Sequence, residues 1–236
     1  MGELYNRLAS DIRFVESLKA CINCGTCTAI CPAAEFYSYD PRVIATTVQT
    51  QDDDKIRELL SSDVIWYCGE CMSCKTRCPR GNAPGLLIMA LRGLSQDMGF
   101  FTGSEKGRQQ LVIKRIIGDQ ILSSGYCVRP DMVDPALHPE QGPVWEWEHE
   151  NLGPVLDKLG ANYNGEGAGA LRKISDSDLD ELKRIFEITG GTERYDNIEA
   201  FSKQKAKEMG LEFGTGTTSD YVKHIYTANN QKHNHE

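Results

Sequence analysis

Two cysteine-rich segments of identical spacing constrain this chain more than any other feature of its sequence. The pattern Cys-x2-Cys-x2-Cys-x3-Cys-Pro occurs twice, and the two copies begin 47 residues apart. Their cysteines are Cys21, Cys24, Cys27 and Cys31 in the first copy, and Cys68, Cys71, Cys74 and Cys78 in the second. In a chain without a recognisable secretion signal, thiols spaced so tightly predict metal ligation rather than disulfide bonds.

This spacing is the bacterial ferredoxin pattern for a [4Fe–4S] cluster. Three thiolates at intervals of three residues let one short loop wrap a compact cube of iron and sulfide. Because each motif contains four thiols, the sequence predicts two [4Fe–4S] clusters. Gly25 and Gly69, each directly after a ligand, are expected to let the backbone approach the cluster closely.

The motif also predicts which thiols share a cluster. Where two such motifs occur in one chain, the fourth cysteine of each ligates the cluster of the other. We therefore expect one cluster to be held by Cys21, Cys24, Cys27 and Cys78, and the other by Cys68, Cys71, Cys74 and Cys31. The alternative is a pair of zinc sites, but zinc modules usually place two separate Cys-x2-Cys pairs around one ion, whereas these cysteines come as two quartets.

Hydrophobic periodicity predicts a mostly α fold. The apolar residues before the first motif are spaced as one helical stripe, comprising Leu4, Leu8, Ile12, Val15 and Leu18. Further helices are expected over 41–49, 53–60, 84–99 and 104–123, followed by a helical hairpin of 176–189 and 193–209. The proline-rich segment 125–169 is expected to be an ordered but irregular arm.

These patterns predict two domains. Residues 1–125 would form an α-helical ferredoxin domain with both cluster sites, and residues 126–236 an arm and helical extension for assembly with other subunits. Within the arm, Trp145 and Trp147 are expected to face opposite sides of an extended segment and to dock on a partner. The ninth cysteine, Cys127, is expected to be a small buried apolar residue.

Charge and hydropathy limit the classes of partner. With 26 basic and 34 acidic side chains the net charge is −8, so the chain lacks the positive field that nucleic acid binding requires. The longest apolar run, Leu86–Leu91, is too short to cross a bilayer, and a cytoplasmic location is expected. The cations Lys75, Arg77 and Arg80 surround the second motif, where they could offset the negative charge of a thiolate-ligated cluster.

The residues around the motifs resemble the C subunit of heterodisulfide reductase. The resemblance covers about residues 11–125, and it includes the 36-residue spacer between the motifs and the phrase Ser-Ser-Asp-Val-Ile-Trp-Tyr-Cys68. Cys78-Pro-Arg-Gly81, followed by an apolar helix ending near Leu91-Arg92, belongs to the same resemblance. The tail from Ile188 to Leu211 is similar to the longer C subunits of heterodisulfide-reductase-like complexes of sulfur-oxidising bacteria.

The resemblance implies an iron–sulfur protein that relays electrons between two other subunits of such a complex. One would be a flavoprotein like the A subunit, and the other a catalytic protein like the B subunit, which handles disulfide or sulfur substrates. We find no pattern for acid–base or nucleophilic chemistry, so no catalytic residue is expected in this chain.

Two alternatives remain open for the function. One is a free-standing soluble dicluster ferredoxin, and the other is a scaffold or sensor in which the clusters only hold the fold. The residues beyond the ferredoxin core count against a free carrier, because a diffusing carrier needs only a small contact surface.

Overall fold

The computed structural model of the chain describes residues 2–138, 141–229 and 232–233. It contains two compact units, which divide between Arg108 and Gln109. Throughout the described residues, no helix is both long and apolar enough to cross a membrane.

The first unit consists of helices and short turns. Its α-helices are α1 (Glu3–Ala9), α2 (Ile12–Ser17), α3 (Thr26–Ala29), α4 (Ala33–Phe36), α5 (Pro41–Gln49), α6 (Asp53–Leu60), α7 (Ser73–Thr76), α8 (Pro84–Asp97) and α9 (Glu105–Arg108). Turns of 3-10 helix span Val64–Trp66 and Phe100–Gly103. The expected helices over 41–49, 53–60 and 84–99 are therefore confirmed to within a few residues.

Helix α8 is the centre of the first unit's core. Leu87 and Leu91 on this helix are fully buried, and so are Val48 of α5 and Ile56 of α6. Helices α1, α2, α5 and α6 all pack against α8. Burying this apolar surface is the main favourable contribution to folding, and it fixes the helices on which the cysteine loops are mounted.

The predicted single N-terminal helix is wrong. The chain breaks at Ser10, and the Asp11 side chain caps α2 by accepting a bond from the backbone N–H of Arg13 at 2.8 Å. An aspartate cap competes with helix continuation, and the sequence pattern did not weigh this. The stripe residues of α1 are buried, whereas Ile12 and Val15 of α2 are 69% and 58% exposed.

The second unit is also largely helical. Its elements are α10 (Gln110–Ile113), a π-helical turn (Lys114–Gly118), α11 (Asp119–Ser124), α12 (Pro143–Glu150), α13 (Leu152–Lys158), α14 (Asp176–Ile188), α15 (Gly191–Met209), α16 (Asp220–Thr227), β1 (Ala228–Asn229) and β2 (Lys232–His233). The predicted hairpin is confirmed as α14 and α15. Strands β1 and β2 pair antiparallel, and this two-residue ladder is the only sheet in the described part of the chain. The mostly α fold class is confirmed.

The proline-rich arm is more regular than predicted. Helices α12 and α13 occupy 143–158, with Pro143 at the first helical position, where a missing N–H costs nothing. Trp145 and Trp147 consequently lie on a helix rather than on an extended segment, and Trp147 is 57% exposed. Cys127 is exposed, contrary to the expectation of a buried thiol.

Residues 109–125, assigned above to the first domain, pack within the second compact unit. The Gln109 side-chain amide donates to the carbonyl oxygens of Ile225 and Ala228 at 3.0 and 2.8 Å. The buried Arg115 guanidinium donates through Nε and Nη2 to the Glu199 carboxylate at 2.9 and 2.6 Å. These bonds join this segment to α15 and α16, which explains why the units divide earlier than the predicted domain boundary.

The ion pair of Arg115 and Glu199 generates a prediction. Glu199→Gln would leave a guanidinium that is only 4% exposed without its counter-charge, and we expect the free energy of unfolding to fall by about 3 kcal/mol. Urea unfolding followed by circular dichroism measures the loss. Lys183→Gln, which breaks an exposed pair with Asp180, is the matched control and should change stability little.

The same pair should make stability depend on pH. Burial favours the protonated Glu199, but hydrogen bonds from Arg115 and Lys114 outweigh it and hold the pKa of that carboxyl below its usual value. Because the pKa of Glu199 is lower in the folded state than its unfolded value of about 4.3, the ionised carboxylate stabilises the fold at any pH above that value. This stabilisation is lost as the pH falls through the folded pKa. The difference in the free energy of unfolding between wild type and Glu199→Gln should therefore become smaller at acid pH. A difference that does not change with pH would contradict this account.

Candidate iron–sulfur sites

Two cavities in the first unit are each lined by four thiols, drawn from both motifs. The first cavity, of about 390 Å³ including space open to solvent, is lined by Cys21, Cys24, Cys27 and Cys78. The second, of about 370 Å³, is lined by Cys68, Cys71, Cys74 and Cys31. Each cavity thus gathers three thiols of one motif with the fourth of the other, the same grouping that the sequence predicted.

Two hydrogen bonds bring the end of the second motif to the start of the first. The backbone N–H of Lys19 donates to Oδ1 of Asn82 at 2.7 Å, and the N–H of Ala83 donates to the carbonyl of Ser17 at 2.7 Å. Asn82 is 3% exposed and also lines the first cavity. These bonds clamp the segment before Cys21 to the segment after Cys78.

The two ligand loops share an unusual backbone conformation. Asn23 and Glu70, each two residues after the first cysteine of its motif, have φ values of 57° and 54°. In this conformation their N–H groups donate to the thiols of Cys21 and Cys68, both at 3.4 Å. The sequence repeat is therefore also a structural repeat.

The two glycines that follow ligands do not play matching roles. Gly25 has a φ of +79°, which suits glycine, but the equivalent position in the second loop is Met72, with a φ of +57°. Gly69 has no positive φ, so its backbone conformation does not require glycine, and its close approach to a cluster stays a prediction. In the second site, Gly85 allows a close approach, because an added Cβ would lie 3.0 Å from the Met72 sulfur and 3.7 Å from the Cys74 sulfur.

The thiols of the two loops have parallel electrostatic environments. Hydrogen bonds from the Thr26 side chain and backbone lower the pKa of Cys24, and those from Ser73 lower the pKa of Cys71. Burial raises the pKa of Cys27 and of Cys74. Each loop thus contains one exposed thiol with a lowered pKa and one more buried thiol with a raised pKa.

Arg92 on α8 anchors the second loop, and sequence reasoning did not single it out for this role. Its guanidinium donates to the carbonyl oxygens of Ile65 and Cys68 at 2.7 and 2.6 Å and forms an ion pair with Glu70. It also lies over the Trp66 ring at 5.5 Å. One side chain therefore fixes the approach to Cys68. The only sequence signal was the position of Arg92 directly after the apolar run Leu86–Leu91.

Arg42 lines the first cavity, although it is far from every cysteine of that cavity in sequence. Asp40 caps α5 through the N–H groups of Arg42 and Val43, accepts from the Thr28 hydroxyl, and accepts from Arg42 Nη2 at 2.8 Å. The pKa of Arg42 is raised, mainly by Asp40 and further by the charges of Cys27 and Cys21. Arg42 therefore interacts electrostatically with two thiols of the first cavity.

Tyr39 has a corresponding place in the second cavity. It is 5% exposed, and burial raises its pKa, as do the charge of Cys68 and a hydrogen bond with that side chain. Tyr39 also packs edge-on against Tyr67, whose ring stacks on Tyr37. No sequence pattern marked this tyrosine.

The cations near the second motif are placed differently from the prediction. Of the three, only Arg80 lines a thiol cavity, and that cavity is the first. Cys78 carries Arg80 to the first cavity, because the two are separated by a single residue. Lys75 and Arg77 are exposed and line neither cavity.

The residues present fit a polynuclear cluster. Each cavity offers four thiols, and Arg42, which lines the first, has a buried Nε with no hydrogen-bond partner among the described residues. An unpartnered buried donor fits a site that accepts hydrogen bonds when occupied. Within the described ranges, no three His, Cys, Asp or Glu side chains converge closely enough to hold a single metal ion.

Comparisons with known proteins agree with this chemistry. Residues 17–82 match the 4Fe-4S dicluster domain family, which indicates that the chain binds [4Fe–4S] clusters. That segment contains all eight motif cysteines. The match favours iron–sulfur chemistry over the zinc alternative.

Three relatives carry closely related names. The chain is 32% identical to the C subunit of ferredoxin:CoB-CoM heterodisulfide reductase from Methanosarcina acetivorans, over 85% of this chain and 73% of the relative. It is 33% identical to the iron–sulfur C subunit of CoB–CoM heterodisulfide reductase from Methanopyrus kandleri, over 52% and 65% of the two chains. The corresponding C 2 subunit of Methanocaldococcus jannaschii is 40% identical over 39% and 46%. Because the similarity to the first of these relatives extends over most of both chains, this protein belongs to the family of heterodisulfide reductase iron–sulfur C subunits.

Proposed function

We propose that the chain is the electron-transfer subunit of a heterodisulfide-reductase-like complex and holds two [4Fe–4S] clusters in its first unit. The gathering of eight thiols into two crossed quartets is the observation that carries this proposal. When bound, each cluster supplies a site that accepts and releases one electron. The chain itself contributes ligands, orientation and electrostatic surroundings, and no catalytic residue.

The ligand assignment follows the two cavities. Cys21, Cys24, Cys27 and Cys78 would hold the first cluster, and Cys68, Cys71, Cys74 and Cys31 the second. The N–H groups of Asn23 and Glu70 already point to ligand sulfurs, which supports the assignment because amide donors stabilise thiolate charge. Helices α3 and α7, which carry ligands of the two sites, pack against each other. Such packing supports a relay, because electrons would pass between neighbouring sites.

The partners proposed are a flavoprotein like the A subunit of heterodisulfide reductase and a catalytic protein like its B subunit. One ligand thiol at each site, Cys24 and Cys71, is exposed, so both sites are accessible from the surface. A relay needs such openings for a donor and an acceptor. The sites could therefore serve two partners without rearrangement of the first unit.

We also propose that the C-terminal extension, residues 126–236, serves assembly with these partners. It contains no proposed ligand, and α14 exposes Ile185 and Ile188 to 53% and 84%. Trp147 on α12 is exposed as well. Exposed large apolar side chains on amphipathic helices are typical of protein interfaces.

Affinity purification of the full-length tagged chain from its source tests the function. A flavoprotein and a catalytic protein should copurify, and dithionite should reduce the clusters reversibly. Ile188→Lys should retain the iron but weaken copurification, whereas Lys183→Ala, an exposed change on the same helix, should not. Purification of the chain alone would support the free ferredoxin, and clusters that resist reduction would support the scaffold.

The crossed ligand assignment predicts how cysteine substitutions combine. Anaerobically purified protein should hold about eight irons per chain, and Cys24→Ala or Cys78→Ala alone should lose about half of them. If both thiols serve the first cluster, the double variant Cys24→Ala/Cys78→Ala should lose no more iron than either single variant.

The matched control is Cys24→Ala/Cys31→Ala, which should lose nearly all the iron because it damages both sites. Uncrossed ligation would reverse the two results, since Cys24 and Cys31 would then act together. Iron analysis and the visible absorption of each variant distinguish the two patterns.

Arg92 predicts a selective defect. Arg92→Met would leave the carbonyls of Ile65 and Cys68 without their donor, and we expect the second site to lose its cluster, with about half the iron retained. Arg57→Met is the matched control, because Arg57 also lies over an aromatic ring, but that ring belongs to Phe100, which is outside both cysteine motifs. Full iron content in Arg92→Met would refute the anchoring role.

A further inference from the structure

The two thiol cavities have the same loops but different charges in their walls. Arg42 and Arg80 line the first cavity. In the described part of the chain, the second cavity is lined by uncharged side chains in addition to its thiols, among them Tyr39, Met72 and Ser73. This difference arises outside the cysteine motifs, because Arg42 lies on α5 and Arg80 follows the second motif.

Arg42 is held in one orientation at the first cavity. Its Nη2 donates to Asp40 Oδ2, and the same carboxylate accepts three further bonds, from the backbone N–H groups of Arg42 and Val43 and from the Thr28 hydroxyl. Thr28 lies on α3, one residue after the ligand Cys27. Asp40 therefore ties the guanidinium directly to the first ligand loop.

The pair of Arg42 and Asp40 presents its positive end to the cavity. Arg42 lines the cavity and Asp40 does not. Nε of Arg42 is buried and has no hydrogen-bond partner within the residues that the structure describes. A buried donor of this kind favours a negatively charged acceptor in the cavity, because charge-assisted bonds are stronger than neutral ones.

Reduction of a [4Fe–4S] site adds one negative charge. A fixed guanidinium and a hydrogen bond to sulfur both stabilise the reduced state, so they raise the reduction potential of the site they face. Arg80 acts in the same direction, but it is exposed, whereas the Arg42 side chain is 34% exposed, so solvent weakens the effect of Arg80 more. At the second site, Tyr39 contributes a bond with Cys68 that brings no charge. The nearby Arg92 donates to the Cys68 carbonyl and is paired with Glu70, but it does not line the cavity.

On the basis of the proposed function, we propose that Arg42 makes the first site the higher-potential of the two, so that this site takes the first electron. The two halves of the repeat are thereby specialised. A single electron would therefore reside at the first site, which has the thiols of Cys21, Cys24, Cys27 and Cys78. The second site would be reduced only at a lower potential. Arg42 acts on the potential through its charge and its Nε donor, and it is not a ligand.

Potentiometric titration of the anaerobic full-length protein, followed by electron paramagnetic resonance, tests this inference. The unsubstituted protein should show two one-electron waves. Arg42→Gln should lower the higher-potential wave by about 59 mV, which corresponds to a tenfold change in the ratio of reduced to oxidised site, and should leave the other wave in place. Arg42→Lys, which keeps the charge but lacks the Nε donor, should lower the same wave by less.

Two further variants sharpen the test. Arg13→Gln is the matched control, because Arg13 binds its own helix cap, Asp11, as Arg42 binds Asp40, yet it lines neither cavity. It should move neither wave. Tyr39→Phe should lower only the midpoint potential of the lower-potential wave. It should therefore increase the difference between the two midpoint potentials, whereas Arg42→Gln should decrease that difference.

The outcomes separate this inference from the proposed function. A protein without iron–sulfur signals would refute the proposed function itself. Two intact clusters with a single unresolved wave, or an Arg42→Gln shift confined to the lower-potential wave, would overturn the inference alone. Equal shifts from Arg42→Gln and Arg13→Gln would overturn it as well, because they would reflect only the loss of one positive charge from the chain.

Discussion

The bonds that clamp the start of the first motif to the end of the second determine the rest of the first unit. Asn82 accepts from Lys19, and Ala83 donates to Ser17, across more than sixty residues of chain. Both bonds lie beside the Asn82 amide, which is only 3% exposed, so leaving either bond unmade would be costly. The clamp helps to hold Cys78 at the first cavity, where it is the fourth thiol beside Cys21, Cys24 and Cys27.

Helix α8 links the thiol cavities to the hydrophobic core. Its start brings Gly85 against Met72 and Cys74, its middle buries Leu87 and Leu91, and its later turns carry Arg92 to the second loop. Core packing and loop geometry therefore depend on the same rigid element. Because metal sites and the segments that hold them fold together, occupation of the cavities and stability of this unit should be coupled.

The internal repeat produces two loops of one conformation in two different surroundings. Positive φ values recur at Asn23 and Glu70, and thiol pKa values shift in the same direction at equivalent cysteines. Equal spacing dictates equal loops, because a short loop has few ways to direct three thiols inward. The neighbouring elements are not repeated, so Arg42 faces one cavity and Tyr39 the other. A duplicated motif can in this way support two sites with unequal properties.

Cysteine spacing and apolar periodicity were enough to predict the mostly α fold, the [4Fe–4S] chemistry, the helices α5, α6 and α8, and the hairpin of α14 and α15. These are local properties, set by intervals of three or four residues along the chain. The N-terminal break at Ser10, the helix over Trp145 and Trp147, and the packing of residues 109–125 with α15 and α16 depended on caps and distant partners that periodicity does not encode. Tertiary structure alone decided that Arg42, Tyr39 and Arg92 meet the thiol loops, because each is brought there by the packing of helices rather than by its position in sequence.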